Sequence, residues 1–189
     1  MIKLTPFKSC GPDGIHVNVL RKCLNFDKPL SYIFNLSMRT GLVPQDWRDA
    51  NVTPLFKKGS RTSLSNYRPV SLTSQIVKLM ERLIRVAILS HIIRNKILSC
   101  HQHGFQSLSS CITQLIECLN DWAESFDNRM GTNCIYLDFA KTFDTVPHHR
   151  LKIKLGNVGI RGNILRWIVS FLKNRRQKVV LPGGSIQLE

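Results

Sequence analysis

The stretch Asp138-Phe139-Ala140-Lys141-Thr142-Phe143-Asp144 follows an apolar run, Cys134-Ile135-Tyr136-Leu137, which reads as a buried strand ending at Asp138. A carboxylate at the C-terminal end of such a strand lies on the rim of a sheet, where it can face a metal ion and a ligand phosphate. Strands also end in Asp because the following turn favours it. Two-metal phosphoryl transfer gathers several carboxylates around its ions, and Asp138 would be one of them. A second candidate is Asn66-Tyr67-Arg68-Pro69-Val70-Ser71-Leu72, downstream of Lys57-Lys58-Gly59. An arginine on a strand can present its planar fork to phosphate, with the lysines as mobile point charges. The alternative is a solvated basic hairpin.

The elements that would position these groups follow from pattern. Gly11-Pro12-Asp13-Gly14 is a turn cluster ahead of a helix over 15–24. Leu30, Ile33, Phe34 and Met38 form a helical stripe over 29–40 that Gly41 terminates. Ala50 to Phe56 reads as a strand, interrupted by Pro54 and therefore near an edge, with Tyr67 to Leu72 returning beside it. Lys57-Lys58-Gly59-Ser60-Arg61 makes the tip of that hairpin cationic. Longer helices are predicted over 75–97 and 111–126, and shorter ones over 148–156 and 163–173. A strand from Lys178 to Leu181 then leads into a turn at Pro182-Gly183-Gly184, inside what reads as an unfinished hairpin.

Composition bounds the partner. The chain has 27 Lys and Arg against 12 Asp and Glu, a net charge of +15, over 189 residues that are 43% hydrophobic. That apolar content suits a folded domain, and the charge favours a polyanion such as a nucleic-acid backbone. A basic ribosome-associated or membrane-surface protein would share the charge. There is no internal repeat, no run long enough to span a membrane and no apolar leader at Met1-Ile2-Lys3-Leu4-Thr5-Pro6, so an intracellular protein, nuclear or cytoplasmic, is expected. The six cysteines form no Cys-x-x-Cys pair, and Cys100-His101-Gln102-His103 lacks a second half at zinc spacing. Reduced cysteines are expected.

The pieces become specific together. Gly11 to Ile15, Gly41-Leu42-Val43-Pro44-Gln45-Asp46-Trp47, Lys57-Lys58-Gly59, Asn66 to Leu72, Gln102-His103-Gly104-Phe105 and Leu137 to Asp144 occur in one order. At these spacings they resemble the reverse transcriptase domain of non-LTR (LINE-like) retrotransposons, in particular the jockey and CR1-like groups. The likeness continues through Val146-Pro147-His148 and Trp167 to Arg175.

The resemblance implies an α/β fold: the fingers and partial palm of a right-handed polymerase. Residues 1–110 would be mainly fingers, including the basic hairpin 50–72, and 111–189 partial palm. It implies RNA-directed DNA polymerisation with Mg2+, an RNA template, a DNA primer and deoxynucleoside triphosphates, and no membrane. Asp138 and the backbone carbonyl of Phe139 would hold magnesium. Phe143 would pack beneath the incoming sugar and select deoxynucleotides, while Arg68, helped by Lys57 or Lys58, would grip the triphosphate. Gln102, Gly104 and Phe105 would lie on the template side, and His148 and His149 would be structural.

The departures are Thr142, where the family usually has Ala, and Ser109, where it usually has Arg. The Gly-rich motif and the aromatic-Ala-Asp-Asp turn do not occur in these 189 residues. The chain is therefore expected to be catalytically incomplete alone, with the apolar faces of 75–97 and 163–173 partly uncovered and open to self-association. The competing expectations are a non-catalytic nucleic-acid-binding relic and an unrelated basic helical protein.

Overall fold

The computed structural model describes residues 9–23, 25–181 and 184–188. The chain forms two units, residues 1–88 with 148–189, and residues 89–147. The first is a mixed α/β unit with a small sheet.

In the first unit a turn closes from Gly14 N to Gly11 O (3.1 Å), with Pro12 and Asp13 at its centre. Gly11 is required there, because a Cβ would stand 2.5 Å from the backbone nitrogen of Ser74. Helix α1 (Val17–Lys22) follows, then α2 (Asp27–Thr40), which ends on Gly41 in the left-handed conformation (φ 72°), as the sequence predicts. The short helix α3 (Gln45–Arg48) leads straight into β1 (Ala50–Phe56).

β1 and β2 (Tyr67–Leu72) form the predicted hairpin, registered from Asn51↔Leu72 to Phe56↔Tyr67. A 3-10 turn, Leu64–Asn66, precedes β2. β1 is not an edge strand, contrary to the expectation from Pro54. The sheet order is β2-β1-β3-β4, and β1 runs parallel to β3 (Gln177–Leu181) over Ala50–Val52.

The reason lies in the hydrogen-bonding phase. Ala50 N donates to Arg176 O (3.0 Å) and Lys57 N to Asn66 O (2.8 Å), so even-numbered N–H groups of β1 face β3 and odd-numbered ones face β2. The missing N–H of Pro54 therefore faces β3, whose pairing with β1 has already ended at Val52. An interior strand tolerates proline where one neighbour stops short.

β4 (Gly184–Leu188) pairs antiparallel along the whole of β3, so the hairpin read as unfinished is formed. The turn residues Pro182 and Gly183 lie outside the described residues.

The core of this unit gathers Val43, Trp47, Val77, Met80, Ile84 and Trp167. They come from the α2–α3 connection, α3, α4 (Gln75–Arg94) and α7 (Gly162–Leu172). α6 (His148–Asn157) packs on α7. Ile164, Ile168 and Phe171 of α7, each partly buried, pack on the core, so the apolar face of 163–173 is covered in part. Trp167, 2% exposed, donates from Nε1 to Ser37 Oγ (3.0 Å), and Ser37 Oγ donates to Leu42 O (2.6 Å). This relay ties α7 to the C-terminal end of α2.

In the second unit α5 (Cys111–Asp127) begins with a reciprocal cap, in which Ser110 Oγ accepts from Thr113 N and Thr113 Oγ1 accepts from Ser110 N. Its stripe of Ile112, Leu115, Ile116 and Leu119 is helical as predicted, yet exposed. The buried strand expected over 134–137 is absent. Residues 131–139 form no regular element, and Ile135 and Leu137 are 82% and 79% exposed. A strand needs a ladder partner for its backbone N–H and C=O groups, and none of the described segments pairs with this run.

Candidate functional site

In the first unit the hairpin positions three of the candidate cations. Side chains alternate along paired strands, so Thr53, Leu55 and Lys57 share a face with Arg68 and Val70, while Val52, Phe56 and Tyr67 share the other. Because Leu55 stands opposite Arg68 and Lys57 bonds to Asn66, Lys57 and Arg68 are diagonal neighbours, about 7–8 Å apart. Lys58 follows in the tip, and Gly59 there takes the left-handed conformation (φ 89°).

The tip is braced from the opposite face. Phe56 and Tyr67 pack ring to ring (5.4 Å), the Arg61 guanidinium lies 5.2 Å from the Phe56 ring centre, and Tyr67 Oη donates to Arg61 O (2.9 Å). Asn66 Nδ2 donates to Ser60 O (2.9 Å). Arg61, part of the predicted basic tip but not among the candidate site residues, is thus held against Phe56 and Tyr67. Its cation–π contact has no signal in spacing, because Phe56 and Arg61 meet only once the strand turns.

At the other end of β1 a second set of contacts fixes where the strand starts. Asp49 accepts from Arg176 Nη2 (2.7 Å) and Nε (3.1 Å), a bidentate pair, and from Gln45 Nε2 (2.6 Å). The Arg176 hydrogen bonds hold the Asp49 carboxyl below its usual range against the opposing effect of burial. Arg48 Nη1 donates to Lys173 O (3.3 Å). No motif in the sequence marks this corner, since its partners are more than a hundred residues apart.

The second unit carries the remaining candidates. Asp138 is exposed and lies in the irregular segment rather than at a strand end. The carbonyl of Phe139 accepts from Thr142 Oγ1 (2.8 Å). The Ala usual in the family has no hydroxyl to make that bond. Lys141 has positive φ (50°), and its carbonyl accepts from Asp144 N (2.9 Å) and Thr145 N (3.1 Å), which folds 139–145 into consecutive turns.

Phe143 and Phe105 meet edge to face, with centroids 5.9 Å apart, although both are largely exposed, at 78% and 84%. The sequence placed these two on different functional elements, and the structure joins them. Gln102 Nε2 donates to Gly104 O (3.3 Å), which makes a local turn of that segment. Beside it, Glu117 of α5 bonds to His101 Nδ1 through one oxygen and to His103 Nε2 through the other, and His103 Nδ1 contacts Thr113 Oγ1 (3.0 Å). His101 first and His103 second hold the Glu117 carboxyl below its usual range.

As donors for a hard cation, Asp138 offers one carboxylate and Phe139 one carbonyl already accepting a hydroxyl proton. Among the described residues no group of three or more His, Cys, Asp or Glu side chains could hold a metal ion. This arrangement fits one corner of a magnesium site and not a closed ligand set. Among the described residues no helix is long and apolar enough to cross a membrane.

Comparison with known proteins places these features. Residues 56–187 match the family described as reverse transcriptase (RNA-dependent DNA polymerase). The chain is 32% identical over 127 residues to the probable RNA-directed DNA polymerase from transposon BS of Drosophila melanogaster, covering 67% of this chain and 14% of that protein. It is 28% identical over 148 residues to the probable polymerase from transposon X-element of the same organism, covering 78% of this chain and 16% of that one. Against the RNA-directed DNA polymerase from the mobile element jockey it is 30% identical over 155 residues, 82% of this chain and 17% of that protein. The chain thus spans less than a fifth of the length of each of these three relatives.

Proposed function

The chain belongs to the reverse transcriptase family, with relatives among non-LTR retrotransposon polymerases, and from that premise we propose that it is part of the nucleotide- and template-binding portion of an RNA-directed DNA polymerase. The observation that carries this reading is the family match over 56–187, which contains Lys57, Lys58, Arg68, Asp138 and Phe143. The partners on this reading are an RNA template, a DNA primer and deoxynucleoside triphosphates. The fingers would be mainly residues 1–110, and 111–189 would be part of the palm.

Each residue has a role that its chemistry supports. Arg68 would clamp the triphosphate with its planar fork, and Lys57, its diagonal neighbour, would add a point charge, with Lys58 in reserve at the tip. Phe143 would bear on the sugar of the incoming nucleotide. Phe105, packed on its edge, would fix the ring from the template side, with Gln102 and Gly104 shaping the turn before it. Asp138 and the Phe139 carbonyl would hold Mg2+, which supplies charge neutralisation to the transferring phosphoryl group. The Thr142 hydroxyl on that carbonyl competes for its lone pairs, so Thr142→Ala should free it.

These 189 residues are proposed to bind nucleic acid but not to polymerise alone, since one carboxylate does not complete a two-metal site. The test is primer extension on an RNA template with magnesium. The 189-residue chain should give no product. A chimaeric relative carrying residues 50–144 of this chain in place of its own should extend the primer, and Asp138→Ala in it should lower the rate by orders of magnitude. Extension by the chain alone, abolished by Asp138→Ala, would overturn the inactivity. Full activity of the chimaera without Asp138 would overturn the site.

A second reading, a non-catalytic nucleic-acid-binding relic, is favoured by the net charge of +15. It predicts salt-sensitive binding to RNA–DNA duplexes with no metal dependence. Self-association through uncovered apolar faces, an intracellular location and reduced cysteines complete the proposal.

A further inference from the structure

Where α3 meets α7, the first unit has a cavity of about 380 Å3 lined by Arg48, Lys152, Arg166, Lys173, Ser170 and Asn174, together with Leu165 and Val169. Four cations share one concavity and no carboxylate lines it. The nearest acidic side chain in sequence, Asp49, is occupied by the bidentate Arg176 and by Gln45. Arg48 is only partly satisfied: Nη1 donates to Lys173 O (3.3 Å), while Nε is buried with no partner. A buried guanidinium N–H without an acceptor is rare. Like charges gathered in a concavity repel until a counter-ion neutralises them, and the low-dielectric walls focus their field.

We propose that this cleft is a phosphate-binding site, taking either a phosphodiester of a nucleic-acid strand or a free polyphosphate. Arg48 and Arg166 supply guanidinium donors, with one Nη of Arg48 already on the Lys173 carbonyl and one Nη of Arg166 already on Asn163 Oδ1. Lys152 and Lys173 add point charges, and the Ser170 hydroxyl and Asn174 amide add neutral donors. The site is distinct from the hairpin cations. It lies at the start of β1, whereas Lys57 lies past its end, about 23 Å away at roughly 3.3 Å per residue. One phosphate cannot reach both. Arg48 and Lys173 are tethered to each other just ahead of the Ala50–Arg176 bond that starts the pairing of β1 and β3.

The test uses the 189-residue chain without magnesium, titrated with inorganic pyrophosphate by calorimetry and with a short labelled single strand by fluorescence anisotropy. The cleft variant Lys152→Gln/Arg166→Gln/Lys173→Gln is compared with Arg21→Gln/Lys22→Gln/Lys28→Gln, which removes the same charge at exposed positions of α1 and α2. The cleft variant should lose pyrophosphate affinity by about tenfold or more, and the α1–α2 variant should stay within about twofold. Pyrophosphate that displaces the strand from the wild type, but not from the cleft variant, identifies a strand phosphate as the occupant. Pyrophosphate binding that leaves the strand undisturbed identifies a free polyphosphate. Equal losses in the two variants, or no pyrophosphate binding by the wild type, would overturn the site. If the triple variant fails to fold, the exposed Lys152→Gln alone carries the comparison, with a loss of about threefold expected and none refuting it.

Discussion

Replacing Ser37 by Ala should cost far more than the loss of one hydroxyl suggests. Among the described residues Ser37 Oγ is the only partner of the indole N–H of Trp167, and it also donates to the carbonyl of Leu42. Trp167 is 2% exposed, so its N–H would be left without an acceptor in the core, at a cost of roughly 1–3 kcal/mol. Leu42 is exposed, so its carbonyl can recover a water, and losing that bond costs at most about 1 kcal/mol. The total is about 1–4 kcal/mol.

The assay is urea unfolding followed by far-UV circular dichroism, run as a double-mutant cycle with Trp167→Phe. In the Phe background no indole N–H remains to be orphaned, so Ser37→Ala should cost about 1 kcal/mol or less there. A coupling of about 1–2 kcal/mol is expected between the two positions. The reasoning fails if Ser37→Ala costs under about 0.5 kcal/mol, or if it costs the same in both backgrounds. Because this relay ties α7 to α2, the same variant should also loosen the cationic cleft on α7.

Burial pushes the Glu81 carboxyl above its ordinary value, with Arg175 and Lys78 opposing. Its stabilising effect is therefore fullest below the ordinary carboxylate range and is lost as pH rises through the raised value. Glu81→Gln should flatten that decline and stabilise the fold at neutral pH; a less stable Gln variant would mean that the attraction to Arg175 outweighs desolvation. Gly11→Ala should destabilise by roughly 1–3 kcal/mol in thermal unfolding, because its Cβ meets rigid backbone at Ser74. Gly104→Ala, with nothing within 4 Å of the new Cβ, should stay within about 0.5 kcal/mol, and equal effects at the two sites would refute the argument. Leu115→Glu with Leu119→Glu should weaken any self-association seen by sedimentation at least tenfold, since each side chain offers roughly 1.5–3 kcal/mol of burial. An unchanged association constant would move the contact off α5.

Much of the first unit was legible because its signals are local. Gly41 stops α2 because only a left-handed residue continues the chain there, and the spacing of Ala50–Phe56 against Tyr67–Leu72 leaves room for one hairpin with a cationic tip. The order of motifs from Gly11 to Asp144 carried the family likeness, because each is short and its spacing is read directly.

What the sequence by itself determined, then, was helix and turn chemistry, strand pairing across a tip, net charge and family. Tertiary structure alone decided burial and partnership. Cys134-Ile135-Tyr136-Leu137 has the composition of a buried strand, yet strandedness needs a ladder partner, and none of the described segments supplies one. Pro54 weakened the case for an interior strand, but which neighbour stops short depends on β3, more than a hundred residues later. The stripe on α5 and that on α7 look alike in sequence; one is exposed and the other covers the core. Asp49 with Arg176, Ser37 with Trp167 and Phe105 with Phe143 are pairs that no local spacing encodes. The energy of such pairs depends on desolvation and geometry, and both are set only when distant segments have packed.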